Sequence, residues 1–144
     1  MRFRNLLCAL AIVLFSAGLA HADINAYISS LNVSATADIG GFRTRLGLHY
    51  NTPGPTLDLV FGSVASPGEA AVILWLGQRS NTPVATVLQT YQKQKGQGWG
   101  AIAQSLGIKP GSADFHALKE GNLGWHPEGG ESSSGQHGKG KGKK

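Results

Sequence analysis

Cysteine is nearly absent. Cys8 is the only one in 144 residues, and it sits in an apolar run near the N-terminus. Beyond that run, a disulfide framework, a thiolate zinc site and a C-x-x-C redox pair are all excluded. Charge is also scarce, at 15 % of residues against about a quarter in an average domain. Several catalytic signatures are missing. There is no G-x-S-x-G elbow and no G-K-[ST] phosphate loop. The glycines at 96, 98 and 100 follow no strand pattern and read as a hinge between helices. Ser112, Asp114 and His116 lie too close in sequence to form a triad on their own. Ser112 reads as a helix N-cap and Asp114 as a first-turn acid. His49, His116, His126 and His137 never pair at i, i+3 or i, i+4. A zinc site needs three or four converging ligands, for which only His116, His126 and Glu128 offer themselves. The sequence therefore assigns no catalytic residue, no cofactor site and no metal site.

The ends of the chain carry clear signals. Arg2 and Arg4 precede an apolar run from Leu6 to Ala20, and Ala20-His21-Ala22 supplies small residues at two positions of a cleavage site. Positive, apolar and A-x-A segments in that order predict a secretory signal cut after Ala22, hence a periplasmic or secreted bacterial protein. The run is short of the roughly 20 residues of a membrane span. At the other end, residues 129–144 hold Gly, Ser and Lys with nothing apolar to bury. Segments 1–22 and 122–144 are thus expected to be a signal peptide and a disordered tail. The net charge of +5 belongs to these ends. The span from Asp23 to Glu128 has seven basic and seven acidic residues, while Lys139, Lys141, Lys143 and Lys144 face only Glu131 in the tail.

Between the ends, two patterns follow one another. Leu31, Val33, Ala35, Ala37 and Ile39 alternate at period two. So do Phe42, Thr44, Leu46, Leu48 and Tyr50, and then Leu57, Leu59 and Phe61. Gly40-Gly41 and Asn51-Thr52-Pro53-Gly54-Pro55 punctuate them. The alternation predicts a three-stranded antiparallel meander over 23–65. Residues 66–121 read as three to four short helices covering that sheet. Ser66-Pro67-Gly68-Glu69 is a capping box with proline at the first helical position, and Ala70–Leu76 is apolar all round. Val84, Val87, Leu88 and Tyr91 form an amphipathic stripe behind Thr82-Pro83. Trp99, Ile102, Ala103 and Leu106 share that spacing, with Gly107 as a left-handed cap and Ile108 folding back. Ser112 opens a last helix through Phe115 and Leu118 that Gly121 stops. The expected fold is therefore α+β, a small sheet with a trihelical, helix-turn-helix-like C-terminal module.

The stretch Gly98-Trp99-Gly100-Ala101-Ile102-Ala103, Leu106-Gly107-Ile108-Lys109-Pro110-Gly111-Ser112, Phe115-His116-Ala117-Leu118-Lys119 resembles a recurrent C-terminal signature of small exported proteobacterial proteins. The resemblance implies architecture alone and carries no functional residues. Three functions are open. A non-enzymatic interaction or structural module of the cell envelope would use exposed members of Trp99, Phe115 and Trp125 together with the tail lysines, against a protein or an anionic envelope polymer. An envelope-polymer enzyme or accessory would need His49, Asp58, Asp114 and His116 to converge in a pocket. A nucleic-acid reader would use the helix after Ser112, but Asp114, Glu120 and the neutral domain charge oppose phosphate binding.

Overall fold

A computed structural model of the chain describes residues 23–127, and every regular element among them is helical. Seven α-helices follow in order: α1 Ile24–Ala37, α2 Ile39–His49, α3 Gly54–Ser63, α4 Pro67–Ser80, α5 Val84–Gln94, α6 Trp99–Ser105 and α7 Ala113–Glu120. One 3₁₀ turn, Lys95–Gln97, joins α5 to α6. The expected signal peptide, residues 1–22, and residues 128–144 of the expected tail lie outside the described residues.

The expected sheet is replaced by α1, α2 and α3. The apolar residues of 23–65 satisfy two periods, and the helical one governs burial. In α1 the buried positions are Tyr27, Ile28, Leu31 and Ala35, one stripe at helical spacing. Period-two counting from Leu31 overlooks the first two and turns Val33 and Ile39 inward. In fact Val33 is 73 % exposed and Ile39 49 %. Phe42 and Leu46 lie four apart in α2, Leu57 and Val60 three apart in α3, and all four are buried. Gly40-Gly41 breaks nothing: it forms the first turn of α2, where the Asp38 carboxylate accepts from the Gly41 N–H at 2.8 Å.

The helices of 66–121 lie where capping and periodicity put them. Ser66 and Glu69 close their capping box at the start of α4, and Asn81 ends that helix in the left-handed region. Gly107 closes α6 in a Schellman turn, its own N–H reaching Gln104 O and the Ile108 N–H reaching Ala103 O, both at 3.0 Å. Of the ten residues Gly68–Gly77 of α4, all but Glu69 are buried, so this helix is the axis on which the others pack. It contacts α1, α3 and α5. Gly68 allows the α1 crossing: a Cβ there would stand 2.5 Å from Ile28 O, and its N–H donates to Asn32 Oδ1 at 2.7 Å.

The helices also contain a repeat. Offsetting the chain by 30 residues superposes Leu46-Gly47 on Leu76-Gly77, Asn51-Thr52-Pro53 on Asn81-Thr82-Pro83, and Thr56 on Thr86. The corners match in detail. Asn51 and Asn81 have φ of 48° and 51°. The N–H of Thr52 donates to Gly47 O at 2.8 Å and that of Thr82 to Gly77 O at 3.0 Å. Each threonine hydroxyl donates to the carbonyl two residues back, Tyr50 or Ser80. The next helix starts at the same register, Gly54 or Val84, and buries Leu57 or Val87 at the same point. Hairpins α2–α3 and α4–α5 are two copies of one supersecondary unit.

Residues 122–127, which precede the compositional change at Gly129 but fall within the expected tail, return to the core. Leu123 and Trp125 are 4 % and 5 % exposed. The Tyr27 hydroxyl donates to Trp125 O at 2.7 Å, and the indole meets Phe42 edge-on at 5.3 Å. Two large apolar side chains supply the burial that the glycines around them lack.

Candidate functional site

The C-terminal module opens a groove against the start of α1. Its walls come from the end of α5, the 3₁₀ turn, α6, α7 and residues 23–25, and it encloses about 760 Å³. The sequence builds it step by step. Gly98, with φ of 91°, reverses the chain after the 3₁₀ turn, so α6 starts beside the end of α5. Tyr91 and Trp99 are thereby brought face to face, with centroids 5.5 Å apart and planes 24° from parallel. Tyr91 is itself fixed, because its hydroxyl donates to Glu69 Oε2 at 3.0 Å. The same carboxylate oxygen accepts from the N–H groups of Ala65 and Ser66. Burial pushes the Tyr91 phenol above its ordinary pKa, and the Glu69 hydrogen bond and charge add to that. The indole thus rests on a ring anchored to the capping box of the central helix.

Phe115 on α7 lines the same groove. It lies over the first turn of α6, where a Cβ at Gly100 would meet Phe115 Cζ at 3.5 Å, an ordinary contact. Ser112 caps α7 by accepting from the Phe115 N–H at 3.2 Å, and the Lys119 ammonium lies 5.9 Å from the ring centroid. Ile102, Ala103 and Leu118, all essentially inaccessible, form the packing beneath. The polar lining is chiefly carboxamide: Asn25, Gln94, Gln97 and Gln104. Gln94 is held by Ser105, whose hydroxyl donates to Gln94 Oε1 at 2.8 Å. The side chains of Asn25, Gln97 and Gln104 make no hydrogen bond to another described residue. Asp23 and Lys119 contribute one charge of each sign.

Of the residues singled out from sequence, Trp99 and Phe115 come together here, both half-buried. Trp125 does not: it is a core residue, shut off by Phe42 and His49, so contact with a partner is not its role. Lys139, Lys141, Lys143 and Lys144 lie outside the described residues. The four polar residues an enzyme would need are held by different neighbours. His49 packs on Tyr50 and Trp125, Asp58 pairs with Arg43, and Asp114 lies 3.7 Å from Arg79. His116 is exposed on α7. His126 stands edge-on to Tyr27, and Glu128, its suggested companion in a metal site, lies outside the described residues. Among the described residues no three His, Asp or Glu side chains gather as metal ligands.

No family model, curated protein or solved structure matches the chain. The groove is thus defined by its own chemistry. Sequence inspection found its aromatics and missed its carboxamides. The available signal is three glutamines, at 94, 97 and 104, distributed over two successive predicted helices and the glycine hinge that joins them beside Trp99.

Proposed function

We propose that the protein is an exported, non-catalytic binding module of the cell envelope, and that the groove around Trp99 and Phe115 is its ligand surface. One observation carries this reading. Five separate segments converge on a concavity whose lining is two aromatic rings and four carboxamides, the mixture of apolar area and a few orienting polar groups that ligand sites use. Export rests on the charged, apolar and A-x-A segments at the N-terminus. It is supported by the position of Asp23, which would be the first residue after the cut and is the N-cap of α1, accepting from Ala26 N–H at 2.8 Å.

Two measurements test it. N-terminal sequencing of protein recovered from the periplasm or medium should begin at Asp23. A start at Met1 in the cytosol overturns export. The purified chain should co-sediment with isolated cell-envelope material, and Ala101→Trp, which fills the groove from α6, should abolish sedimentation with the helical circular dichroism unchanged. Undiminished sedimentation of that variant overturns the assignment of the groove.

A further inference from the structure

We infer that the ligand of this groove is an uncharged oligosaccharide strand. The inference rests on the groove's being the binding surface. It is carried by the match between the groove's groups and the chemistry of a sugar. A pyranose presents a C–H face and a rim of hydroxyls, each both donor and acceptor. The C–H face needs a rigid aromatic plane, and Trp99 supplies one, with Tyr91 stacked at 5.5 Å and anchored through Glu69. The rim needs side chains that donate and accept from adjacent atoms, which the carboxamide does and ammonium or carboxylate alone does not. Asn25, Gln97 and Gln104 bring three such groups, none engaged by another described side chain, and Gln94 a fourth already oriented by Ser105.

Charge points the same way. Asp23 and Lys119 are opposite in sign, and the Asp23 carboxylate is occupied in capping α1. A polyanionic strand would need clustered Lys and Arg, whereas the described lining holds Lys119 alone, joined after cleavage by the Asp23 α-ammonium. A peptide fits less well. Strand addition requires a free sheet edge, and the described residues contain no strand. An amphipathic helix requires a continuous apolar trough, whereas four carboxamides, Ser105, Asp23 and Lys119 stand among the lining residues here. The open shape suits a chain of sugars passing through, with two aromatic rings in the lining.

The three tryptophans make the test direct. Trp75 and Trp125 are 1 % and 5 % exposed, so acrylamide quenching of the full chain reports on Trp99. The probes are tetra-N-acetylchitotetraose and cellotetraose as uncharged strands, tetragalacturonate as an anionic one, and a pool of unstructured decapeptides. At least one uncharged tetramer should protect Trp99 in a saturable titration that is unchanged between about 50 and 500 mM salt. Gln97→Ala combined with Gln104→Ala should weaken that binding about tenfold or more at an unchanged melting temperature. Lys119→Gln should alter it less than about twofold. Protection by tetragalacturonate or decapeptides alone overturns the proposal, as does protection by neither uncharged tetramer, or protection indifferent to the glutamine pair. If Ala101→Trp abolishes envelope binding while both uncharged tetramers fail, the sugar falls and the groove stands. If Ala101→Trp changes nothing, the groove itself falls.

Discussion

Hairpins α2–α3 and α4–α5 share a corner and differ in almost everything they pack against. At positions 30 residues apart, Arg45 is exposed where Trp75 is buried. Arg43 and Asp58 form a surface ion pair where Ile73 and Leu88 are buried. Leu48 and Leu59 are exposed where Gln78 and Gln89 stand. The shared residues are those that make the turn: the glycine whose carbonyl receives the returning N–H, the left-handed asparagine, and the Thr-Pro that restarts the helix. Each hairpin's depth in the molecule then decides its remaining residues. α4 runs through the centre and is covered by α1, α3 and α5, whereas α2 has one side to the core. The corner is a local solution, and the faces are global ones.

The comparison can be broken most severely at its deepest difference. Trp75→Ala should cost about 3–5 kcal/mol, the range for emptying a large buried aromatic site. Its counterpart Arg45→Ala, whose nearest acid is Asp38 at 4.0 Å, should stay within about 0.5 kcal/mol. Urea unfolding of the two variants checks both values; similar midpoints would mean that burial does not separate the hairpins. Leu88→Ala should follow at about 2–5 kcal/mol. At the matching position, Asp58→Ala should cost no more than about 1 kcal/mol, since an exposed pair gains little and salt weakens it.

The same contrast explains what could be read from the sequence. Helices α4 to α7 are legible, because Ser66, Pro67, Glu69, Gly107, Ser112 and Gly121 act within one or two turns of where they stand. α1 to α3 are not. In windows of five to nine residues, Leu31-x-Val33-x-Ala35 satisfies a strand pattern as well as Leu31–Ala35 satisfies a helix, and only packing on α4 decides between them. The 30-residue repeat would have settled the matter. By local pattern Thr82-Pro83 reads as a helix start, while the same pair at 52–53, inside Asn51–Pro55, reads as a strand turn. The groove was half legible for a related reason: aromatics declare themselves singly, whereas Gln94, Gln97 and Gln104 acquire meaning only when the 3₁₀ turn brings α5 beside α6. The burial of Trp125 depends on a contact with Tyr27, 98 residues away, that no local pattern encodes.

The shared corner predicts equal effects. Asn51→Ala and Asn81→Ala should each cost about 1 kcal/mol, the steric penalty of a left-handed β-carbon. Asn→Gly at either site should be neutral or stabilising. Thermal melts of the four variants check this, and a difference of more than about twofold between hairpins would show that the corners are not equivalent.

A further difference is the residue before each asparagine, Tyr50 or Ser80. Burial raises the Tyr50 phenol well above the ordinary tyrosine range, with Tyr27 adding to the shift and Arg79 offsetting it. Its hydroxyl is buried without a partner among the described residues. Tyr27 is raised in the same direction by burial. Above about pH 10 the unfolded chain releases these protons first, so the native state binds more of them and stability falls as pH rises. Below that pH the two phenols contribute no slope. Tyr50→Phe should therefore be at least as stable at neutral pH, gaining up to about 1 kcal/mol, and should lose less on titration from about pH 9 to 11. A steeper alkaline loss in this variant would contradict the assignment.

The smallest expected effect tests whether the hairpins are interchangeable where neither is buried. Leu48 is 77 % exposed and Leu59 51 %, and the repeat places glutamine at both counterparts. Exchanging them, Leu48→Gln with Leu59→Gln, removes apolar area that water already reaches and leaves the backbone hydrogen bonds of α2 and α3 in place. The change should fall within about 0.5 kcal/mol, because Leu and Gln differ little in helix propensity. Reciprocal exchange, Gln78→Leu with Gln89→Leu, should be equally silent in a urea titration. A loss above about 1 kcal/mol from the first pair would mean that these leucines are covered in the folded protein, and that α2–α3 differs from α4–α5 through a contact rather than through exposure.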